Sequence, residues 1–337
     1  MTSSIRIGIV GAGGNTRMKH IPKLQEIDGV SIEVICNRSA ESSQAVADEF
    51  GVPRIANHWK EVVADPEVDA VVIGTWPYLH APITIAALEA GKHVLCEARM
   101  AMDLTEAEAM MEASKAHPHQ VTQVVPSPFT LKWDRYLKRI LEEGIIGQVL
   151  NVDVISSGGF LNPDSPITWR EQRKFSGLNA MMLGIYYEAM ARWLGHAKTV
   201  EATARVFLEQ RIGTDGKTHS LEIPDHIDAF GCLESGASYH VRCSNVTGAC
   251  PTPNDFIIYG VSGTLRLNIS DDTCTLHRPE SSVEILNAPR EEHETWRVEE
   301  EFIGAIRGEE TIRLTSFEEG VRYMAFTQRV MESAGMV

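Results

Sequence analysis

The sequence predicts an α/β chain of two domains: an N-terminal Rossmann dinucleotide-binding domain, then an α+β domain with an open, largely antiparallel sheet. Three observations predict it. A glycine turn closes the first apolar strand, Ile5 to Gly14; apolar runs alternate with helical patterns as far as Val125; and strand-alternating runs take over after Pro126-Ser127-Pro128. At 337 residues the chain also exceeds the size at which one core usually stops growing. The boundary is placed near Pro126, giving domains 1–125 and 126–337.

Ile5 to Val10 is a short apolar run suited to a strand buried on both faces. It runs into Gly11 and Gly13, the first two places of a G-x-G-x-x-G turn, where a missing Cβ lets the backbone approach a pyrophosphate at a helix N-terminus. Gly14 adds freedom, Thr16 stands at the third glycine's place, and Asn15 completes the loop expected to cradle phosphates. The next run, Ser31 to Cys36, ends at Asn37-Arg38-Ser39, where an acidic residue would bind the ribose 2′-hydroxyl of NAD. An amide and a guanidinium there suit a 2′-phosphate instead, so Asn37 and Arg38 point to NADP as the preferred cofactor, with NAD possible. The same residues also suit a plain turn opening the helix from Ala40 to Phe50, because Asn and Ser cap helices.

Runs at Ala70, His93 and Val121 extend the parallel sheet. The loop after the Ala70 run carries Thr75, Trp76, Tyr78 and His80, and in Rossmann folds such loops face the ligand crevice. Trp76 and Tyr78 serve equally as packing, and His80 as a helix-start residue. Beyond Pro126 come a helix from Leu131 to Glu142 and strands Val149 to Ile155, Val200 to Leu208, Ile227 to Leu233, Ala237 to Cys243, Asp255 to Tyr259 and Thr264 to Leu267. A helix near Leu178 to Leu194 lies among them, and helices Glu299 to Arg307 and Phe317 to Ser333 close the chain.

A net charge of −15 argues against nucleic acid or an anionic membrane as partner. Met1 to Ser4 is too short and polar for a signal peptide, and no apolar stretch approaches the roughly 20 residues of a membrane span, so a cytoplasmic protein is expected. Cys36, Cys96, Cys232, Cys243, Cys250 and Cys274 include no C-x-x-C pair and are expected as free thiols. His117-Pro118-His119 lacks a third ligand nearby, so no metal is expected.

Gly8-Ile9-Val10-Gly11-Ala12-Gly13-Gly14, Asp69-Ala70-Val71-Val72-Ile73, Thr75 with Leu79-His80, the run Ala86 to Glu97, Gly144 to Val149, Trp169-Arg170 and Arg192-Trp193-Leu194-Gly195 together carry a resemblance. The chain resembles the glucose-fructose oxidoreductase / inositol dehydrogenase (Gfo/Idh/MocA) family over nearly its whole length. The resemblance implies hydride transfer between nicotinamide C4 and a carbon bearing a hydroxyl or carbonyl, on a sugar, cyclitol or related polyol. It also implies a homo-oligomer, dimer or tetramer. Two departures stand out. The family's Glu-Lys-Pro is Glu97-Ala98-Arg99 here, and its Asp-x-Gly-x-His or Asp-x-Gly-x-Tyr is Met182 to Tyr186.

By that resemblance Tyr186 is the expected acid/base, with Arg99 as the cation that lowers its pKa in place of the missing lysine, and His80 a further candidate. Thr75, Trp76, His80 and Glu97 are expected to line the nicotinamide half, and Arg170 to bind an anionic group of cofactor or substrate. Trp169, Tyr187 and His226 are the remaining substrate-binding candidates; His226, beside Asp225, also has a structural reading. Two alternatives stay open: a redox-assisted elimination or glycoside cleavage with Glu188, Tyr187 or His226 as base, and a dinucleotide-binding sensor without turnover.

Overall fold

The alternating pattern becomes six strands: β1 (Ile5–Val10), β2 (Val30–Cys36), β3 (Arg54–Ile55), β4 (Ala70–Ile73), β5 (His93–Cys96) and β6 (Thr122–Val124). In the computed structural model, which describes residues 4–159, 164–213 and 215–337, they form one parallel sheet in the order β3-β2-β1-β4-β5-β6. Met1 to Ser3, part of the segment read as too short for a leader, lie outside the described residues. The crossovers carry α1 (Ile21–Gln25), α2 (Ala40–Phe50), α3 (Trp59–Ala64), α4 (His80–Glu89) and α5 (Leu104–Ala116). β3 escaped the sequence reading because two residues cannot display a period.

The helix α2 occupies the predicted span, and its ends show why. Ser39 accepts a hydrogen bond from Ser42 N–H at 3.2 Å, and Gly51 at φ 69° closes the C-terminus in the left-handed region.

The second unit holds α6 (Leu131–Glu142), α7 (Arg173–Ser176) and α8 (Leu183–Leu194). Its strands are β7 (Val149–Ser157), β8 (Glu201–Arg205), β9 (Gln210–Ile212), β10 (Thr218–Ser220), β11 (His226–Cys232), β12 (Ser238–Ser244), β13 (Asn254–Gly260), β14 (Thr264–Asn268), β15 (Thr273–His277) and β16 (Glu284–Leu286). Eight of them make an open sheet in the order β16-β15-β14-β13-β7-β12-β11-β8, antiparallel except where β7 meets β12; β9 and β10 form a separate hairpin. α8 covers one face of β7 and β12.

The final helices, α9 (Val298–Arg307) and α10 (Phe317–Ser333), correct the expected domain division. The first unit runs to Pro126, residues 297–324 return to it, and the second unit comprises 127–296 and 325–337. α9 packs on α1, Arg307 donates to the Asp28 carbonyl at 2.6 Å, and Met100 N–H donates to the Tyr323 hydroxyl. An apolar helical face tells that a helix is covered, not which sheet covers it. Among the described residues, no helix is long and apolar enough to cross a membrane.

Candidate functional site

The strand order reverses between β1 and β4, so the crevice beyond their carboxyl ends is where an open parallel sheet holds a ligand. Gly11 leaves β1 at φ 88°, and a Cβ there would stand 2.5 Å from Thr75 N. Gly74 is as tightly placed, since its Cβ would lie 2.2 Å from the Gly11 carbonyl oxygen. Gly13 and Gly14 behave differently: the nearest atom to a Gly13 Cβ would be Gly74 O at 3.7 Å, and Gly14 would meet nothing within 4 Å. One side of the turn is locked against β4 while the other lies open. Thr16 fills the third glycine's place by donating its hydroxyl to Gly11 O at 3.2 Å, and it begins a five-residue π-helical turn, Thr16–His20.

A cavity of about 370 Å³ lies along the open side, bounded by Gly13, Asn37, Arg38, Thr75 and Trp76. Its far wall includes His58 and Trp59, which the sequence reading missed because β3 ahead of them was invisible. Thr75 Oγ1 is buried and has no hydrogen-bond partner. A buried hydroxyl left unsatisfied at a cavity wall is a place for a ligand atom.

The Asn37-Arg38-Ser39 stretch divides its work. Asn37 Oδ1 accepts from Ala12 N–H at 2.7 Å, and its Nδ2 donates to Ser42 O and Oγ at 3.1 Å each. Asn37 thus braces the glycine turn against α2, and its donors are spent on protein, which corrects the expectation that it reads the 2′-phosphate. Ser39 is the helix cap. Arg38 presents an exposed guanidinium, 5.5 Å from the Trp76 ring centroid.

Glu97 anchors a buried cluster. Its Oε1 accepts from His20 Nε2 at 3.0 Å and from Asn15 Nδ2, and its Oε2 accepts from Ala98 N–H at 3.0 Å. On its other side His20 Nδ1 lies 2.5 Å from Glu299 Oε1, on α9. The His20 and Glu299 side chains are 0% exposed. Burial pushes His20 down, but its hydrogen bonds to Glu299 and Glu97 outweigh that and raise its pKa to about 9. Glu97 is held below its ordinary value because His20 and Asn15 overcome its desolvation. A folded-state pKa of about 9 against an ordinary 6.5 stabilises fully below about pH 6.5 and is lost as pH rises toward 9. The first unit is expected to lose on the order of 3 kcal/mol across that window. Urea midpoints near pH 6 and near pH 9.5 check this, and equal midpoints would refute an imidazolium at His20.

Several expected site residues are placed elsewhere. His80 is 0% exposed, with Nδ1 2.9 Å from Arg99 O and Nε2 3.0 Å from Thr75 O. Both ring nitrogens face backbone carbonyls and burial lowers its pKa, so His80 ties two strand ends together and has no face for cofactor or substrate. Arg99 is itself buried, 7% exposed, and its peptide bond with Ala98 is cis.

In the second unit Tyr186 is 3% exposed, stacks on Phe256 at 5.4 Å and donates its hydroxyl to Asn254 Oδ1 at 2.8 Å. Burial pushes its pKa up to about 12, opposite to the cation-assisted phenolate expected from the sequence. Tyr187 is also buried; its hydroxyl accepts from Ala197 N–H at 3.0 Å and its ring stacks on Phe326 at 3.7 Å, so it is core rather than a substrate contact. Glu188 accepts from Ser127 N–H at 3.0 Å and pairs with Arg192 at 3.7 Å, which removes it as a base. His226 is held by Ser244 Oγ and Asp228 Oδ2, each at 3.0 Å. Asp225 does not join it: that carboxylate accepts from Phe207 and Leu208 N–H. Trp169 is half-buried and carries the exposed Arg170 guanidinium 4.4 Å from its ring centroid. The six cysteines are all free, and His117 lies 2.9 Å from Ala113 O at the end of α5.

Comparison with known proteins agrees with both sheets. Residues 5–124 match the family described as "Oxidoreductase family, NAD-binding Rossmann fold", and residues 135–266 match the GFO/IDH/MocA C-terminal domain. An uncharacterized oxidoreductase of Rhizobium meliloti is 29% identical over 217 residues, 64% of this chain and 64% of the relative. A levoglucosan dehydrogenase of Pseudarthrobacter phenanthrenivorans is 28% identical over 264 residues, 70% of this chain and 64% of the relative. The chain thus spans a little under two thirds of the length of these relatives. A solved levoglucosan dehydrogenase in complex with NADH and levoglucosan superposes with a TM-score of 0.85 at 21% identity, covering 99% of this chain and 98% of that one. With both domain profiles matched in order and both sheets in place, the chain belongs to the Gfo/Idh/MocA oxidoreductase family.

Proposed function

We propose that the chain is an NADP-preferring reductase or dehydrogenase acting at a keto or hydroxyl carbon of a sugar, cyclitol or related polyol. The observation that carries the cofactor reading is the Arg38 end of the cavity: an exposed guanidinium over Trp76, and no carboxylate in the 37–39 stretch to repel a 2′-phosphate. The side-chain-free Gly13 and the unsatisfied Thr75 hydroxyl suit a dinucleotide along the rest of the cavity. Levoglucosan, an anhydrosugar, in the similar protein's structure supports the substrate class; NADH in that structure belongs to that protein, and Arg38 is what favours NADP here.

Bound there, the nicotinamide would supply hydride exchange with the reacting carbon. Asn37 and Ala12 hold the turn closed while Arg38 donates to the 2′-phosphate. Glu97 stays ionised and fixed by three donors. Tyr186 keeps its proton at neutral pH, which suits a general acid that protonates an oxygen gaining negative charge in the reducing direction. The reading includes assembly of copies into a dimer or tetramer.

Titration of the purified chain with NADPH and with NADH, following tryptophan quenching, tests the cofactor claim. Arg38→Ala is expected to weaken NADPH about 10- to 100-fold, the loss of charge-assisted hydrogen bonds worth roughly 1.5–3 kcal/mol, while NADH changes less than about twofold. Equal losses for both cofactors would overturn the NADP preference.

A further inference from the structure

Glu299, His20, Glu97 and Asn15 form a continuous polar chain through the first unit, from α9 to the residue that follows Gly13-Gly14. Two carboxylates and an imidazole are a costly filling for a position that an apolar side chain would close more cheaply. What they achieve is geometric. His20 Nε2 and Asn15 Nδ2 converge on one oxygen of Glu97, so the side chain of the glycine turn's last residue is fixed by a group that is in turn fixed from α9. The π-helical turn Thr16–His20 widens the chain's path between Asn15 and His20, which puts their side chains, five residues apart, on the same carboxylate.

We propose that His20 is a positioning residue for dinucleotide binding: as an imidazolium between Glu299 and Glu97 it fixes Asn15 in the phosphate-facing turn and offsets one of the two carboxylate charges behind it. The cluster carries a net single negative charge while His20 is protonated and two once it is not, and the second acts against the cofactor's phosphates through a low-dielectric interior. Among the groups that face His20 are Glu97 from the loop after β5, Glu299 from α9 and Asn15 from the glycine turn. Next outward are Lys23 of α1, paired with Glu26 at 2.8 Å, and Glu300 of α9, whose charge reaches Lys23. None of these replaces the imidazolium's contact with both carboxylates.

This inference rests on the cofactor site of the first unit, and on neither the NADP preference nor the substrate class. The test is the dissociation constant of NADH, which has no 2′-phosphate to titrate, measured on the full chain from about pH 6 to about pH 10. For the native chain we expect constant affinity to about pH 8 and roughly tenfold weakening as pH passes 9. His20→Asn should bind about tenfold more weakly at pH 7 and show no inflection. Glu299→Gln removes one carboxylate without changing shape, and should bind at least as tightly as the native chain at pH 6 while its inflection moves down by about one unit. The Glu299→Gln shift keeps the test decisive where His20→Asn fails to fold. A native profile flat to pH 10, or a Glu299→Gln inflection at the native position, overturns the proposal. Loss of NADPH preference with the inflection intact overturns the Arg38 reading alone, and a chain that binds neither dinucleotide overturns both.

Discussion

Gly11→Ala is expected to cost the first unit roughly 2–6 kcal/mol and to abolish measurable dinucleotide binding. Two causes add. The φ of 88° is one that a side chain tolerates at about 1–3 kcal/mol of strain, and the new Cβ would press on Thr75 N from 2.5 Å, an overpacking of about 1–3 kcal/mol against backbone that cannot rotate away. Relative to a typical net stability of ~5–15 kcal/mol, that is a large share. Binding fails for a further reason: Gly11 and Gly74 set the separation of the β1 and β4 ends, and the cavity opens between the loops that leave them. Gly14→Ala is the discriminating comparison. Its Cβ meets no protein atom within 4 Å, so stability should change little while cofactor affinity drops wherever that Cβ occupies space meant for phosphate. Urea denaturation and NADPH titration of the two variants separate the effects. A Gly11→Ala chain as stable as the native one would show that the turn can relax away from β4.

The same residues mark how far the sequence could be read. α2 and α6 were visible to the residue, α2 because Ser39 and Gly51 end it chemically, and the parallel sheet was visible because strands buried on both faces read as unbroken apolar runs. Arg38 was legible as a cation two residues after β2, and the fold sets it on the cavity wall. Asn37 was half legible: its residue type fits a 2′-contact and a brace equally, and the Ala12 and Ser42 hydrogen bonds that decide between them form only in the fold. His20 and Glu299 stand 279 residues apart, and no spacing rule connects them. His80 and Tyr187 misled for a related reason. A polar aromatic near a strand end looks available until its neighbours bury it, and burial is set by side chains distant in sequence. The direction of the Tyr186 shift was reversed on that ground too, since a sequence displays a possible cation such as Arg99 but not the Phe129 and Phe256 rings that exclude water from the phenol.

Tyr186→Phe is the variant on which the proposed chemistry turns, and turnover in the reducing direction is expected to fall by about 10²- to 10⁴-fold, the usual worth of a positioned general acid. Cofactor affinity should stay within about twofold, because Tyr186 belongs to the second unit and the dinucleotide cavity is built from the first. Stability should fall by only ~1 kcal/mol, since the lost group is one hydroxyl donating to Asn254, and the ring contacts with Phe129 and Phe256 survive. The pH dependence follows from a pKa pushed up to about 12. The phenol is protonated throughout the physiological range, so reduction should show no loss of rate from deprotonation of this group below about pH 10. Oxidation needs the phenolate, and should be slow near neutrality and rise with pH. A native enzyme that oxidises its substrate as fast at pH 7 as at pH 10, or a Tyr186→Phe variant with native turnover, would transfer the proton step to another group. The buried phenol would then be what its contacts with Phe129, Phe256 and Asn254 already make it, a hydrogen-bonded part of the second unit's core.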